Sequence, residues 1–166
     1  RINIFGNNVT RENVIRNQLE IDEGDPFNEI LHTRSINNIR SLNFFRNVKS
    51  KVIQNETSKD KIINISVEEK PTGEISAGAG IGTNGGSFAF NVSENNWLGK
   101  GLSIETSFAI RENSFKGAFE VNDPNYKFTG NNRFYRISST TNDAKDSGYE
   151  NSIIELGAGI GYEQFK

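Results

Sequence analysis

Cysteine is absent from this chain, which removes disulfide frameworks, thiolate metal sites and thiol nucleophiles and leaves the redox compartment undetermined. Histidine is almost absent. The single imidazole, His32, falls inside a predicted helix without partner ligands, the setting of a surface or part-buried histidine, so no metal site and no catalytic role is assigned to it. A basic excess is also missing. Nineteen basic against 21 acidic residues give a formal net charge of -2, which argues against a nucleic-acid binder whose phosphate contacts need a basic face. The chain opens on R-I-N-I-F-G without the charged start, apolar run and cleavage site of a signal peptide, and so reads as a mature or truncated product. No run approaches the ~20 apolar residues of a membrane-spanning helix. Only 34% of residues are hydrophobic, yet a transmembrane β-barrel survives that test because its strands alternate apolar with polar residues.

What is present divides at residues 71–82, P-T-G-E-I-S-A-G-A-G-I-G. Upstream the sequence is charged and rich in helix formers; downstream it is rich in Gly, Ser, Phe and Asn with period-two alternation. Within the stretch, Ile75, Ala77, Ala79 and Ile81 share one face of a strand, and Glu74, Ser76, Gly78, Gly80 and Gly82 share the other. So many glycines weaken a strand, because Gly loses most backbone entropy on ordering and offers no side chain to pack.

In the first half, Ile2 and Ile4 followed by Gly6-Asn7 predict a short strand and a turn, with Thr10 placed to cap a helix from about residue 11 to 19. Val14, Ile15 and Leu19 form its apolar stripe. Gly24-Asp25-Pro26 breaks it. A second helix is expected from about residue 28 to 42, turning Leu31, Ile36, Ile39 and Leu42 to a core, with Phe44 and Phe45 closing a turn. Strands follow at residues 48–54 and 62–69, the latter with Ile63, Ile65 and Val67 on one face, joined by a polar hairpin loop at 55–60. The order β-α-α-β-β in about 70 residues describes a small α+β domain with two helices on one face of a sheet.

In the second half, Thr83-Asn84-Gly85-Gly86 has hairpin chemistry. Five further alternating segments follow it, carrying Phe88, Phe90 and Val92; Leu102, Ile104, Phe108 and Ile110; Phe115, Phe119 and Val121; Tyr135 and Ile137; and Ile154, Leu156, Ala158, Ile160 and Tyr162. Six such segments without a helix make an antiparallel meander. Periodicity leaves two closures open: a soluble barrel or sandwich with the apolar face inward, or a membrane barrel with it outward.

The run G-D-P-F at 24–27, the helix ending L-N-F-F-R-N-V at 42–48, and I-N-I-S-V-E-E-K-P at 63–71 resemble a POTRA domain, the polypeptide-transport-associated module. S-E-N-N-W-L-G-K-G-L-S at 93–103 and V-N-D-P-N-Y-K-F-T-G at 121–130 resemble the second-to-third and fourth-to-fifth strand turns of the BamA-type outer-membrane insertase (bacterial surface antigen) family. This resemblance implies an α+β POTRA domain over residues 1–70, then an all-β antiparallel meander over 71–166. That meander would be about six strands from the N-terminal part of a transmembrane β-barrel. Family members carry several POTRA domains and on the order of sixteen strands. The family's V-R-G-aromatic motif is absent here, so the resemblance implies a fragment.

The resemblance further implies a non-enzymatic insertase with no catalytic residue, no metal and no cofactor. It would sit in the bacterial outer membrane with its POTRA domain in the periplasm. The implied partners are the lipid bilayer, unfolded outer-membrane proteins and accessory assembly lipoproteins, and no nucleic acid. Client strands would pair with the first barrel strand, Glu74, Ile75, Ser76, Ala77, Gly78, Ala79, Gly80, Ile81 and Gly82, whose glycines then either loosen a seam or face a crowded lumen. Trp97 is expected at the membrane interface, or else buried against the POTRA domain. The 122–132 connection would lie on the periplasmic side, longer than the 111–114 connection outside, which inverts the usual pattern of such barrels. Other readings are a related POTRA-barrel secretion transporter of the two-partner or translocation-and-assembly type, a passive pore, and a soluble periplasmic binding module.

Overall fold

The computed structural model describes residues 1–54, 60–82, 85–127, 130–144 and 148–162. Two compact units result, Arg1–Thr72 with Leu98–Lys100, and Gly73–Trp97 with Gly101–Lys166.

The first unit is the expected β-α-α-β-β. β1 (Ile2–Phe5) runs parallel to β3 (Lys61–Glu69), which pairs antiparallel with β2 (Phe45–Gln54), giving the order β1-β3-β2. α1 (Glu12–Arg16) and α2 (Glu29–Ser41) supply the rest of the core. Ile15, Ile39 and Ile65 are fully buried, one each from α1, α2 and β3. Ile36, Val48, Ile63 and Val67 surround them, with Leu19, Phe27 and Leu42 packed at the margin.

Local chemistry sets the element ends. Asn28 caps α2 by accepting from the Ile30 and Leu31 N–H groups at 2.9 and 3.3 Å. Asn43 ends it in the left-handed region (φ 60), a conformation Asn tolerates better than most residues. The turn therefore falls at Asn43, and Phe44 and Phe45 are buried, Phe45 as the first residue of β2. α1 is shorter than its apolar stripe suggested, and Thr10 does not cap it. Arg11 holds the N-cap position without a side-chain bond, while Thr10 is buried with its N–H donated to Glu69 Oε1 at 2.6 Å. The Glu69 carboxylate at the end of β3 has taken the hydroxyl away from the helix. The 55–60 loop lies outside the described residues except for Asp60.

The second unit is one antiparallel meander of β4 (Gly73–Gly82), β5 (Gly85–Trp97), β6 (Leu102–Arg111), β7 (Ser114–Tyr126), β8 (Asn131–Ala144) and β9 (Tyr149–Gly161), ordered as in the sequence. The hairpin residues Thr83 and Asn84 lie outside the described residues. β5 and β7 run further than their alternation indicated. Most of each expected turn is strand, so that Trp97 ends β5 and Tyr126 ends β7. The cause is an irregularity in each ladder, between Glu94 and Trp97 and between Asp123 and Tyr126, which breaks strict alternation without ending the pairing. The long 122–132 connection thereby disappears, because Asp123 pairs with Arg133 and Tyr126 with Asn131. Among the described residues no helix is long and apolar enough to cross a membrane.

Candidate functional site

Residues directly opposite in an antiparallel ladder point to the same face, so the register assigns faces across all six strands. Ala77, Phe90, Phe108 and Gly117 form one row, and Phe119, Ile137 and Leu156 lie in another row of the same face. Ile75, Ile81, Phe88, Ile104, Ile110, Phe115, Val121, Ile154, Ala158 and Ile160 join them. This face is apolar and uncovered: Ile81 is 97% exposed and Leu156 79%. Every buried hydrophobic among the described residues belongs to the first unit, between Ile2 and Val67.

The opposite face is polar and hollow. Ser76, Asn91, Ser107, Lys116, Arg136 and Glu155 line a cavity of about 440 Å³ to which all six strands contribute. Glu155 accepts there from the Ser138 hydroxyl at 3.0 Å. A polar face bordering a cavity and an exposed apolar face is the arrangement a membrane barrel needs and a soluble packed barrel inverts.

β4 stands at one side of this sheet. Among the described residues it pairs with β5 alone, from Gly73 opposite Glu94 to Gly82 opposite Gly85, and each of its ten residues is exposed. Alternate residues of such a strand aim N–H and C=O away from the ladder, leaving a row of unsatisfied groups. Its glycines are not forced by backbone conformation, since Gly78, Gly80 and Gly82 are absent from the positive-φ set. Nor does lack of room require Gly78 and Gly82, where an added Cβ would meet no atom within 4 Å. β9 carries the same pentapeptide, G-A-G-I-G at 157–161, for a different reason. There the ring of Phe134 occupies the place a Cβ on Gly159 would take.

In the first unit the two sheet edges differ. β1 is stapled: Glu23 accepts the Ile2 N–H at 2.9 Å and Arg16 donates to the Ile2 carbonyl at 3.0 Å, with Glu12 holding Arg16 at 2.7 Å. The Ile2 bond, joined by the Arg16 charge, keeps the Glu23 carboxyl below its usual pKa against the opposing effect of burial. On β2 the Val48 carbonyl accepts from Arg40 at 3.2 Å, and residues 51–54 are exposed. Glu69 closes the domain. Its partial burial acts to raise its pKa, but bonds from the N–H and hydroxyl of Thr10 and the N–H groups of Val9 and Asn8 hold it below the ordinary value. His32 is part-buried, its Nε2 2.8 Å from Ser50 Oγ; desolvation lowers its pKa against the Glu29 charge.

The sequence-derived site residues 74–82 lie together on one edge, and Trp97 lies at the strand end, 44% exposed. Sequence reasoning missed Arg133, which ion-pairs with Asp123 at 3.6 Å and stacks on Tyr126, 3.8 Å from the ring centroid. The signal was present in the D-P-N-Y run, but only the register shows which residue faces it.

A family model described as POTRA, surface antigen variable number repeat, matches residues 1–70. The outer membrane protein assembly factor BamA of Nitratidesulfovibrio vulgaris is 29% identical over 143 residues, covering 81% of this chain and 18% of the relative. BamA of Neisseria meningitidis serogroup B is 28% identical over 164 residues, covering 96% and 21%. The chain thus spans about a fifth of the length of these curated relatives. Among solved structures, BamA from Haemophilus ducreyi lacking POTRA domains 1-3 matches with a TM-score of 0.80 at 21% identity, covering 96% of this chain and 31% of that one. CdiB from Acinetobacter baumannii matches with 0.61 at 14%, covering 96% and 33%. At these identities the structural matches speak to the fold.

Proposed function

We propose that this chain, matched by the POTRA family model over residues 1–70 and similar to BamA over most of its length, is a BamA-type outer-membrane POTRA-barrel protein that takes part in assembling other barrel proteins, with β4 as the strand on which clients template. Residues 1–70 are then the periplasmic POTRA domain and residues 71–166 the first strands of the barrel in the outer membrane. The work is physical rather than enzymatic. Each backbone N–H or C=O left unpaired in hydrocarbon costs several kcal/mol, and an open strand edge satisfies those groups as a client strand enters. The observation that carries this reading is the glycine content of β4 at positions 78 and 82, which neither backbone conformation nor a neighbouring atom among the described residues demands. Its open-space glycines at 78 and 82 support a strand kept weak so that its seam opens at low cost.

The POTRA domain would hold unfolded clients or accessory lipoproteins by strand addition. With Glu23 and Arg16 occupying β1, the exposed end of β2 is the edge for that task. The soluble binding-module reading lacks support, because no hydrophobic residue of β4 to β9 is buried among the described residues.

Photo-crosslinkers placed one at a time along residues 74–82 of the full-length protein test the reading during client assembly. Client adducts along β4, and none from Ser107 or Ala109 in mid-sheet, are expected. Normal assembly with no adduct anywhere on β4 overturns it.

A further inference from the structure

The apolar face of the sheet ends in a charged pair that hydrophobic patterning does not account for. Val121, Tyr135 and Ala158 form the last apolar row across β7, β8 and β9; the next row is Asp123, Arg133 and Ile160. Arg133 therefore projects from the outward face, two residues from the strand end, beside the turn that follows Tyr126. Its guanidinium lies 3.8 Å from the Tyr126 centroid and 5.4 Å from that of Tyr135, held between two aromatic rings.

This guanidinium is poorly used by the protein. Arg133 Nε is buried without a hydrogen-bond partner. Nη2 stands 3.6 Å from Asp123 Oδ2, an ion pair beyond hydrogen-bond length, although both side chains are largely shielded, at 30% and 20% exposure. A shielded Arg and Asp held just too far apart to bond each other can each bond one end of a zwitterion. The planar fork of Arg matches two oxygens of a phosphodiester, and a carboxylate accepts from a primary ammonium.

We propose that Arg133 and Asp123, framed by Tyr126 and Tyr135, form a binding site for the headgroup of an aminophospholipid. The phosphate meets Arg133 and the ammonium meets Asp123. Position supports this, since the pair lies where the apolar band gives way to polar residues, the depth at which amphipathic rings and headgroups meet. A choline headgroup satisfies only half of the site, because a quaternary ammonium has no N–H to donate. A glycerol headgroup likewise leaves Asp123 without a cation. The proposal rests on the reading that this face of the sheet meets the bilayer.

Full-length protein reconstituted in vesicles of equal phosphatidylethanolamine, phosphatidylcholine and phosphatidylglycerol, then released gently for native mass spectrometry, tests it. The native protein should retain phosphatidylethanolamine over phosphatidylcholine by about tenfold, the worth of one charge-assisted hydrogen bond. Arg133→Gln should abolish retention of all three lipids at this site, and Arg133→Lys should recover part of it. Asp123→Asn, which keeps an oxygen for the Asn125 N–H, should erase the preference for phosphatidylethanolamine and leave phosphatidylglycerol bound. A second measurement separates the two layers of inference: an Ile137→Cys variant carrying a polarity-sensitive label reports whether the apolar face is in hydrocarbon. A label in water overturns the bilayer reading and the site with it. A label in hydrocarbon with native lipid selectivity in Arg133→Gln overturns the headgroup site alone.

Discussion

Asn96 and Asn125 occupy the same place in two turns: each side-chain oxygen accepts the N–H of the glycine five residues on, Gly101 and Gly130, at 2.8 Å in both. The surrounding pattern repeats as well. Two residues before each Asn a carboxylate, Glu94 or Asp123, accepts the Asn N–H at 2.8 or 3.3 Å. An aromatic follows each Asn, Trp97 or Tyr126, and then a non-glycine residue in the left-handed region, Leu98 (φ 53) or Lys127 (φ 52). The left-handed residue costs roughly 1 kcal/mol or more, and the Asn and carboxylate bonds offset it by filling groups the turn would leave bare. One local module thus sets two aromatics at equivalent strand ends; in the proposed barrel Trp97 and Tyr126 would share a depth in the headgroup region.

Removing the bridge tests the module. Asn96 is buried, 6% exposed, whereas Asn125 is only part-buried. Asn96→Ala should destabilise the full-length protein in micelles by about 1–3 kcal/mol, the range for a buried group left unpaired, and Asn125→Ala by less. Quenching of Trp97 by brominated lipids should broaden in depth for Asn96→Ala. An unchanged unfolding midpoint and unchanged quenching would remove the module from any role in placing Trp97.

The POTRA domain should fold without the barrel strands. Ile15, Ile39 and Ile65 give it a fully buried centre of its own. A 1–70 piece loses the Gly99 carbonyl that accepts the Arg11 N–H at 2.8 Å, an exchange for water worth about 0.5–1.5 kcal/mol. Hydrogen exchange should find protected amides in Lys61–Glu69, and Ile39→Ala should lower stability by about 2–5 kcal/mol. A 1–70 piece with no protected amide in that strand would contradict independent folding.

Much of this was legible in the sequence, and what was not has identifiable causes. Ile63, Ile65 and Val67 announced β3 by strict alternation, and Ile36 and Ile39 announced the buried face of α2, because each obeys one period without interruption. Phe88, Phe90, Phe108 and Ile154 likewise fell on one face as their spacing required. Failure came where a long-range group overrode a local rule. Thr10 has the chemistry of a cap, but Glu69, 59 residues away, claims it. β5 and β7 looked shorter than they are because their ladder irregularities break the period that marks a strand. The two G-A-G-I-G segments are indistinguishable as strings; only Phe134 packing at Gly159 tells them apart. Arg133 and Asp123 sit ten residues apart in the chain, and only the β7–β8 register brings them together.

Glu69 should make the POTRA domain acid-sensitive. Its folded pKa lies below the ordinary value because its bonds from Thr10, Val9 and Asn8 outweigh the opposing effect of burial. A carboxyl with a depressed folded pKa contributes stability above its unfolded pKa of about 4.3, and the contribution disappears as pH falls through the lower folded value. Melting temperature followed from neutral pH into that acid range should fall more steeply for the native domain than for Glu69→Gln. The variant should already be less stable at neutral pH, because an amide accepts these three N–H groups less strongly than a carboxylate. Parallel curves would mean that Glu69 is spectator to the loop it holds; a residual slope in the variant is expected from Glu23, whose carboxyl is lowered too.

The glycines of β4 give the decisive contrast between a strand built weak and a strand built bare for want of space. Gly78 and Gly82 have neither a positive φ nor a neighbour within 4 Å of a built Cβ, so alanine fits both positions without strain. Gly80 is less clean, with Ser87 Oγ 3.2 Å from the same point. Each Gly→Ala change in a strand should stabilise it by roughly 0.5–1 kcal/mol through reduced backbone entropy in the open state. If weakness is the function, a Gly78→Ala, Gly82→Ala double variant keeps its fold, raises the thermal stability of β4, and slows client assembly by about five- to thirtyfold, since 1.4 kcal/mol corresponds to a factor of ten in rate. Gly159→Ala is the control. The same pentapeptide in β9 should lose stability there because the methyl collides with the Phe134 ring. A double variant that is more stable yet assembles clients at the native rate would show that the glycines of β4 do not set the cost of opening its edge.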